Sequence, residues 1–96
     1  MVASVHVEFG GLMGGGAPTY VGIRASETIA ASAVNATSVT VVEPGDYMTV
    51  TANSGPIYFV LNKTAATHPR RMLPIGATRD IGPLKTGDVL NVIDYP

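Results

Sequence analysis

The sequence predicts an all-β fold: a small antiparallel β-sandwich or barrel of the jelly-roll kind, with a Gly-rich arm at the N-terminus. Short segments rich in Val, Thr, Ile and Tyr recur roughly every ten residues and are separated by Gly, Pro, Asn and Asp. No segment sustains the helical period of about 3.6 residues. The chain has 96 residues, 46% hydrophobic and 14% charged, which predicts one domain with a small core.

The first quarter of the chain is interpreted as a strand followed by an arm. Residues Val2 to Phe9 alternate between apolar and polar side chains, and residues 10–18 hold five glycines and a proline. Because the composition changes near Arg24, we predict an arm over residues 1–23 and a β-domain over residues 24–96 that folds without it. The large apolar side chains of the arm are its expected partner-binding residues, through which it adds a strand to a neighbouring sheet: Val5, Val7, Phe9, Leu12 and Met13.

Three strands and a tight turn are expected between residues 20 and 46, the first strand at the end of the arm and the other two in the β-domain. Tyr20 to Ile23 forms a brief strand, and Glu27 to Ala31 is preferred as a strand over one helical turn because Thr28 and Ile29 are β-branched. Ser38 to Val42 is a strand by propensity. The following Glu43-Pro44-Gly45-Asp46 has the Pro-Gly order of a type II turn.

The second half of the chain predicts four further strands. The apolar run Ile57 to Leu61 does not alternate, which predicts burial of both of its faces. Asn62 to Arg71 is interpreted as a polar loop. The four strands are Tyr47 to Ala52, Ile57 to Leu61, Thr78 to Ile81 and Asp88 to Tyr95.

Composition and charge argue against several functional classes. The net charge is −1, with six basic and seven acidic residues, so no basic face for nucleic acid is expected. No run approaches the roughly 18 apolar residues that span a bilayer, and we expect no membrane partner. The N-terminus lacks the basic region of a secretory signal, which places synthesis in the cytoplasm.

The chain is not expected to be an enzyme or to hold a cofactor or a metal. It has no Cys, and its only histidines, His6 and His68, lie far apart in the sequence. No serine lies in a Gly-x-Ser-x-Gly elbow. The glycines at 14–16 lack the Lys-Ser/Thr pair of a phosphate-binding loop.

Two features predict binding to proteins. Arg70 and Arg71 form the longest run of like charge, suited to clamping a carboxylate of a neighbouring subunit; the alternative is a solvated loop. A small core without disulfides and a surface poor in charge favour association, most simply a homotrimer.

The stretch from Arg24 to Tyr95 resembles the capsid decoration (cement) proteins of tailed bacteriophages. The resemblance is carried by five segments: residues 24–29 (Arg-Ala-Ser-Glu-Thr-Ile), 45–52, 57–60, 72–76 (Met-Leu-Pro-Ile-Gly) and 85–93. It implies a β-sandwich subunit of the virion, often a trimer, that is assembled in the host cytoplasm, binds the major capsid protein and ties capsid subunits together. It implies no active site.

Other structural and binding functions stay open at this point. One is a head–tail connector or tail component of similar fold. Another is a glycan-binding or host-receptor-binding β-module, although such platforms use exposed aromatic rings and this chain has no Trp, four Tyr and two Phe.

Overall fold

The computed structural model describes residues 3–12 and 20–95, and within them the chain forms eight strands and no helix. The strands are β1 (Ala3–Leu12), β2 (Tyr20–Ala31), β3 (Ala36–Thr37), β4 (Tyr47–Ala52), β5 (Ile57–Leu61), β6 (Arg71–Leu73), β7 (Thr78–Ile81) and β8 (Leu90–Asp94). The predicted all-β class is confirmed. The predicted bounds of β4, β5 and β7 match the observed strands residue for residue.

The strands form two antiparallel sheets of four, consistent with the predicted sandwich. The first sheet has the order β2-β1-β4-β7 and the second has the order β3-β8-β5-β6. Alternate residues of both sheets are buried in one shared core, in which the largest fully buried side chains include Phe9, Met48, Ile57 and Leu90. This alternation is what a sheet with one buried face requires.

The predicted N-terminal arm is wrong for the residues that form β1, because β1 is an inner strand of the first sheet. It pairs with β2 on one side, from Ala3–Ala31 to Leu12–Tyr20, and with β4 on the other, from Val5–Ala52 to Gly10–Tyr47. The predicted boundary between residues 23 and 24 falls inside β2. Residues 13–19, which hold the Gly14–Gly16 run, lie outside the described residues.

The apolar face of β1 packs inward instead of facing a partner. Val5, Val7 and Phe9 are each 0% exposed, so the residues proposed for strand addition are core residues. The period-2 pattern identified the strand correctly, but the same pattern suits a strand that covers its own core and one that covers a neighbour. Because β1 is paired on both edges within its own sheet, its apolar face covers the core of this chain.

The predicted strand Ser38 to Val42 is also wrong. The strand here is the two-residue β3, and the chain then crosses irregularly from the second sheet to the first. The carboxylate of Glu27 on β2 accepts the backbone N–H groups of Val39 (3.2 Å) and Thr40 (3.0 Å), so these groups are bonded to a side chain instead of a ladder. Local side-chain bonds of this kind override strand propensity. This crossing segment, residues 38–43, covers the side of the sandwich next to β2 and β3.

The two inner strands of the second sheet differ in how their outer faces are covered. In β5, Ile57 and Phe59 are core residues whereas Tyr58 and Val60 are half-buried, so only one face is fully buried, contrary to the prediction. In β8, Asn91 and Ile93 on the outer face are buried as well. The 62–70 loop is bonded near this outer face, where the Ala65 N–H donates to Asn35 Oδ1 (2.7 Å).

Two glycines meet requirements that other residues do not. Gly45 has a φ of +85° in the turn that the Asp46 N–H closes on the Glu43 carbonyl (3.1 Å), as the Pro-Gly order predicts. Gly82 follows β7, and a Cβ at that position would lie 2.6 Å from Cδ2 of Tyr47. The Tyr47 ring therefore lies directly against the backbone at Gly82.

Removal of residues 1–23 should prevent folding. The deletion takes away β1 and with it Val5, Val7 and Phe9, each of which contributes about 1.5–3 kcal/mol by burial. Their sum approaches the roughly 5–15 kcal/mol that stabilises a whole domain. Circular dichroism of the truncated chain should show no cooperative thermal transition. A transition like that of the full chain would show that β1 is dispensable and that the arm interpretation was right.

Two matched Val→Ala substitutions should separate core from surface. Val7→Ala, at a position 0% exposed, should lower the free energy of unfolding by about 2 kcal/mol through lost burial and a small cavity. Val39→Ala, at a position 84% exposed, should change it by less than about 0.5 kcal/mol. Urea denaturation measures both, and equal effects would contradict the assignment of β1 to the core.

Candidate binding groove

A groove of about 810 Å³ lies on the side of the sandwich opposite the crossing segment, between the edge strands β6 and β7. Its walls come from β5, β6 and β7 and from the ends of the 62–70 loop. The lining residues are Phe59, Val60, Leu61, Lys63, Pro69, Arg70, Arg71, Arg79, Asp80, Ile81 and Gly82.

The groove exists because β6 is too short to cover β5. Pairing between these strands runs from Ile57–Leu73 to Phe59–Arg71 and stops there, so the Val60 and Leu61 end of β5 has a partner only in β8. On the facing sheet, β7 pairs with β4 and with no other described strand. Edges of this kind leave backbone N–H and C=O groups available to another chain unless side chains protect them.

Four of the six Lys and Arg residues of the chain line this groove: Lys63, Arg70, Arg71 and Arg79. The one carboxylate among the lining residues belongs to Asp80, and its Oδ1 accepts a hydrogen bond from Thr49 Oγ1 (2.9 Å). None of these four cations forms an ion pair with a carboxylate in the described part of the chain, and the close contact between His6 and Glu8 (3.2 Å) lies away from them on the outer face of β1. The basic groove is therefore a local excess of positive charge in a protein of net charge −1.

The register aims two of these arginines into the groove from opposite sheets. Arg71 lies opposite Phe59 on β5, and Arg79 lies opposite Val50 on β4. Phe59 and Val50 are core residues, and directly paired residues share a face of a sheet. Arg71 and Arg79 therefore point toward the space between the sheets, where the core ends and solvent begins.

Arg70 is held in place by contacts with its own loop and with β5. Its Cζ lies 3.5 Å above the centroid of the Tyr58 ring, a cation–π contact, and its Nη1 donates to the Ala65 carbonyl (3.0 Å). Its Nε is buried and has no partner within the described residues. The edge of His68 and the tilted ring of Tyr95 complete the surroundings of Tyr58.

A chain of hydrogen bonds connects Arg70, through the 62–70 loop, to β8 and β3 of the second sheet. The Ala65 N–H donates to Asn35 Oδ1 (2.7 Å), and Asn35 Nδ2 donates to Asn91 Oδ1 (2.9 Å) on β8. The same Asn91 oxygen accepts the hydroxyl of Thr37 on β3 (2.8 Å). The Arg70 guanidinium is thus held by a loop that Asn35 and the buried Asn91 fix in place, which reduces the rotamer freedom that Arg70 loses on binding a ligand.

The corner that carries Lys63 is fixed by a second set of bonds. Asn62 adopts a φ of 61°, its Nδ2 donates to Asp88 Oδ1 (2.8 Å), and its Oδ1 accepts the Val89 N–H (2.9 Å). Asp88 Oδ2 accepts the Lys85 backbone N–H (2.8 Å). The Lys85 N–H and, after it, the Asn62 amide lower the pKa of Asp88 below its ordinary value of 3.8.

The structure brings together some of the residues proposed from the sequence and separates others. Arg70 and Arg71 both line the groove, and the sequence reasoning missed their companions Lys63 and Arg79. Leu12 pairs through its backbone with Tyr20 in the hairpin, and Met13 lies outside the described residues. The signal that was available for Arg79 is its position in phase with Ile81, on the inward face of β7.

The structure separates the two histidines and shows no metal-binding group in residues 3–12 and 20–95. His6 is bonded to Glu8 on the outer face of the first sheet, and His68 lies in the 62–70 loop of the second. This part of the chain has no group of three His, Cys, Asp or Glu side chains placed to hold a metal ion. It also has no helix with the length and apolar character of a bilayer span.

The bonds of Asp88 predict a loss of stability in acid. Because its pKa is lower in the folded state than in the unfolded state, Asp88 stabilises the fold above about pH 4. That contribution disappears as the pH falls through the folded pKa. The stability difference between wild type and Asp88→Asn, measured by urea denaturation, should therefore narrow as the pH falls below about 4. A difference that stays constant over that range would contradict this role of the carboxylate.

Comparisons with known proteins do not identify a family for this chain: no family model, no curated protein and no solved structure matches it.

Proposed function

We propose that this chain is a non-enzymatic structural subunit that binds the outer surface of a phage capsid through carboxylates of the major capsid protein. The observation that carries the proposal is the basic groove, in which four cations have no ion-pair partner within the described residues. The resemblance to decoration proteins supplies the capsid as the partner.

The chemistry of the groove suits carboxylates. An arginine presents a planar fork that bonds both oxygens of a carboxylate, and such charge-assisted bonds are stronger than neutral ones. Arg71 and Arg79 converge from opposite sheets, so a carboxylate at the groove lies near two forks. Charge also accelerates docking onto an acidic surface.

Nucleic acid is a poorer occupant of the same groove. Binding of single strands combines cations with aromatic rings on which bases stack. The only aromatic ring among the lining residues is that of Phe59, which is 2% exposed. The nearby ring of Tyr58 carries the Arg70 guanidinium on its face.

A second surface supports self-association, the other part of the proposal. Val34, Val39 and Val41 are 73%, 84% and 75% exposed, respectively, in and beside the crossing segment. This side of the sandwich lies away from the groove. A homotrimer built through these valines leaves the groove of each copy free for the capsid.

The proposal is tested on particles from the organism that encodes the chain. Quantitative mass spectrometry should find the chain in purified particles at a copy number comparable with that of the major capsid subunit. About a dozen copies or fewer would instead indicate a connector or tail component. Absence from the particles would overturn the proposal.

Charge reversal in the groove should release the protein from these particles. The double variant Arg71→Glu, Arg79→Glu places two like charges against acidic groups of the shell, and we expect binding to fall by at least about tenfold. Lys85→Glu is the matched control, since Lys85 is exposed in a turn and is not a lining residue. Co-sedimentation with particles lacking the chain measures the loss. Equal binding by both variants would show that the groove does not mediate attachment.

A further inference from the structure

The hydrogen bonds between β4 and the residues around β7 show which backbone groups of β7 face away from β4. Ala52 exchanges hydrogen bonds with the turn before β7, its N–H to the Ala77 carbonyl (3.2 Å) and its carbonyl to the Gly76 N–H (2.7 Å). In an antiparallel ladder every second pair carries such bonds. The Val50–Arg79 and Met48–Ile81 pairs therefore carry the ladder bonds between β4 and β7.

It follows that Thr78 and Asp80 turn their backbone N–H and C=O groups outward. These residues pair with Thr51 and Thr49, the positions of the ladder without backbone bonds between the two strands. Their side chains are bonded to those threonines on the outer face, Thr78 to Thr51 (3.1 Å) and Asp80 to Thr49 (2.9 Å). In the described structure, no hydrogen bond joins the Thr78 or Asp80 N–H to another group.

The cations lie on the inward side of this same edge. Arg79 stands between Thr78 and Asp80 in the sequence and points toward the groove, where Arg71 faces it from β6. A strand added beside β7 would bond the backbone of Thr78 and Asp80. Its side chain opposite Arg79 would lie on the inward face, with Cβ atoms about 4.5–5.5 Å apart as in a directly paired position.

Inward-facing charges on edge strands are also a known protection against aggregation. In this chain the protection is selective. A second copy that docked its own β7 here, antiparallel and with Arg79 at the centre of the pairing, would set Arg79 against Arg79, whereas a strand with a carboxylate at that position would be attracted. Arg79 therefore gives this edge its specificity in two ways: it repels β7 of another copy, and it attracts strands that carry carboxylates.

We propose that the groove binds an extended acidic segment of the partner protein, which adds to β7 as a further strand and places carboxylates at alternate positions against Arg79 and Arg71. This inference rests on the proposed function for the partner and goes beyond it in naming the conformation and charge pattern of the bound segment. Backbone bonds to Thr78 and Asp80 give the added strand its register. The arginines select its side chains.

A labelled peptide that alternates Thr and Glu over seven residues is the probe, and fluorescence anisotropy with the full chain is the measurement. We expect the peptide to bind, and an isomer with its three Glu residues contiguous to bind several-fold more weakly, because its carboxylates do not share one face of a strand. Arg79→Gln should weaken binding by about tenfold. Lys85→Gln, outside the groove, should leave it unchanged.

A second pair of variants tests the backbone bonds alone. Thr78→Pro removes one outward N–H at the first residue of an edge strand, a position that tolerates proline, and leaves every cation in place. Thr78→Val removes the hydroxyl but keeps the N–H. We expect the proline variant to bind the peptide about fivefold more weakly than the valine variant. In the wild-type protein, the Thr78 and Asp80 amides should gain protection from hydrogen exchange when the peptide binds, a readout that does not depend on the folding of either variant.

The outcomes separate this inference from the proposed function. Suppose that peptide binding depends on Arg79, that Thr78→Pro and Thr78→Val bind the peptide equally well, and that no amide is protected. This result would overturn strand addition while leaving carboxylate binding intact. No peptide binding, with charge-dependent attachment to particles, would overturn the inference alone. Tighter binding of an oligothymidylate than of the peptide, again without amide protection, would overturn it in favour of a nucleic acid ligand.

Discussion

The rest of the structure depends on the pairing of β1 between β2 and β4. This strand joins a long hairpin to the strands of the second half of the chain, and it brings Val5, Val7 and Phe9 to the centre of the core. Because β1 occupies one edge of β4, only the other edge is left for β7. The short β7 then ends the sheet, and an open edge results at the place where β6 ends the facing sheet.

The core of the sandwich meets solvent at two sides, where the two sheets end, and these two sides are built differently. On one side, the backbone crosses from sheet to sheet, and the Glu27 carboxylate satisfies N–H groups that a strand would have paired. On the other side, only the short connection over residues 74–77 joins β6 to β7 within the described structure, and arginines lie at the boundary between core and solvent. Placement of like charges there carries an electrostatic cost that no ion pair within the described residues offsets. This imbalance is the strongest reason to assign binding to that side.

The fold could be predicted from the sequence where local pattern and tertiary role agree. Tyr47 to Ala52 alternates because it has one buried face, and the turn before it has the residues that its backbone requires. The strand predicted over Ser38 to Val42 was wrong because the carboxylate of Glu27, distant in the sequence, binds backbone N–H groups of this segment. Val5, Val7 and Phe9 were placed on a strand correctly but assigned to a partner, since a period of two does not say which apolar surface the strand covers.

Only part of the groove could be predicted from the sequence, because local pattern does not show which strands lie at the edges of the sheets. Arg70 and Arg71 attract notice as adjacent charges, but Arg79 is a single arginine in a four-residue strand. Its role arises only because β7 and β6 are both edge strands on the same side of the sandwich, and strand order is not written in any local pattern. Asn35 and Asn91 are less visible still, because they act by holding the 62–70 loop and not by touching the groove surface.

The stacking of Arg70 on Tyr58 has an optical consequence. The chain has no Trp, so its near-ultraviolet emission comes from four tyrosines, and the ring of Tyr58 contacts a guanidinium at 3.5 Å and the Tyr95 ring at 4.9 Å. A ligand that draws the guanidinium toward the groove changes what that ring touches. The protein therefore carries an intrinsic fluorophore on the outer face of β5, in contact with Arg70, and its emission reports on the position of that guanidinium without any label.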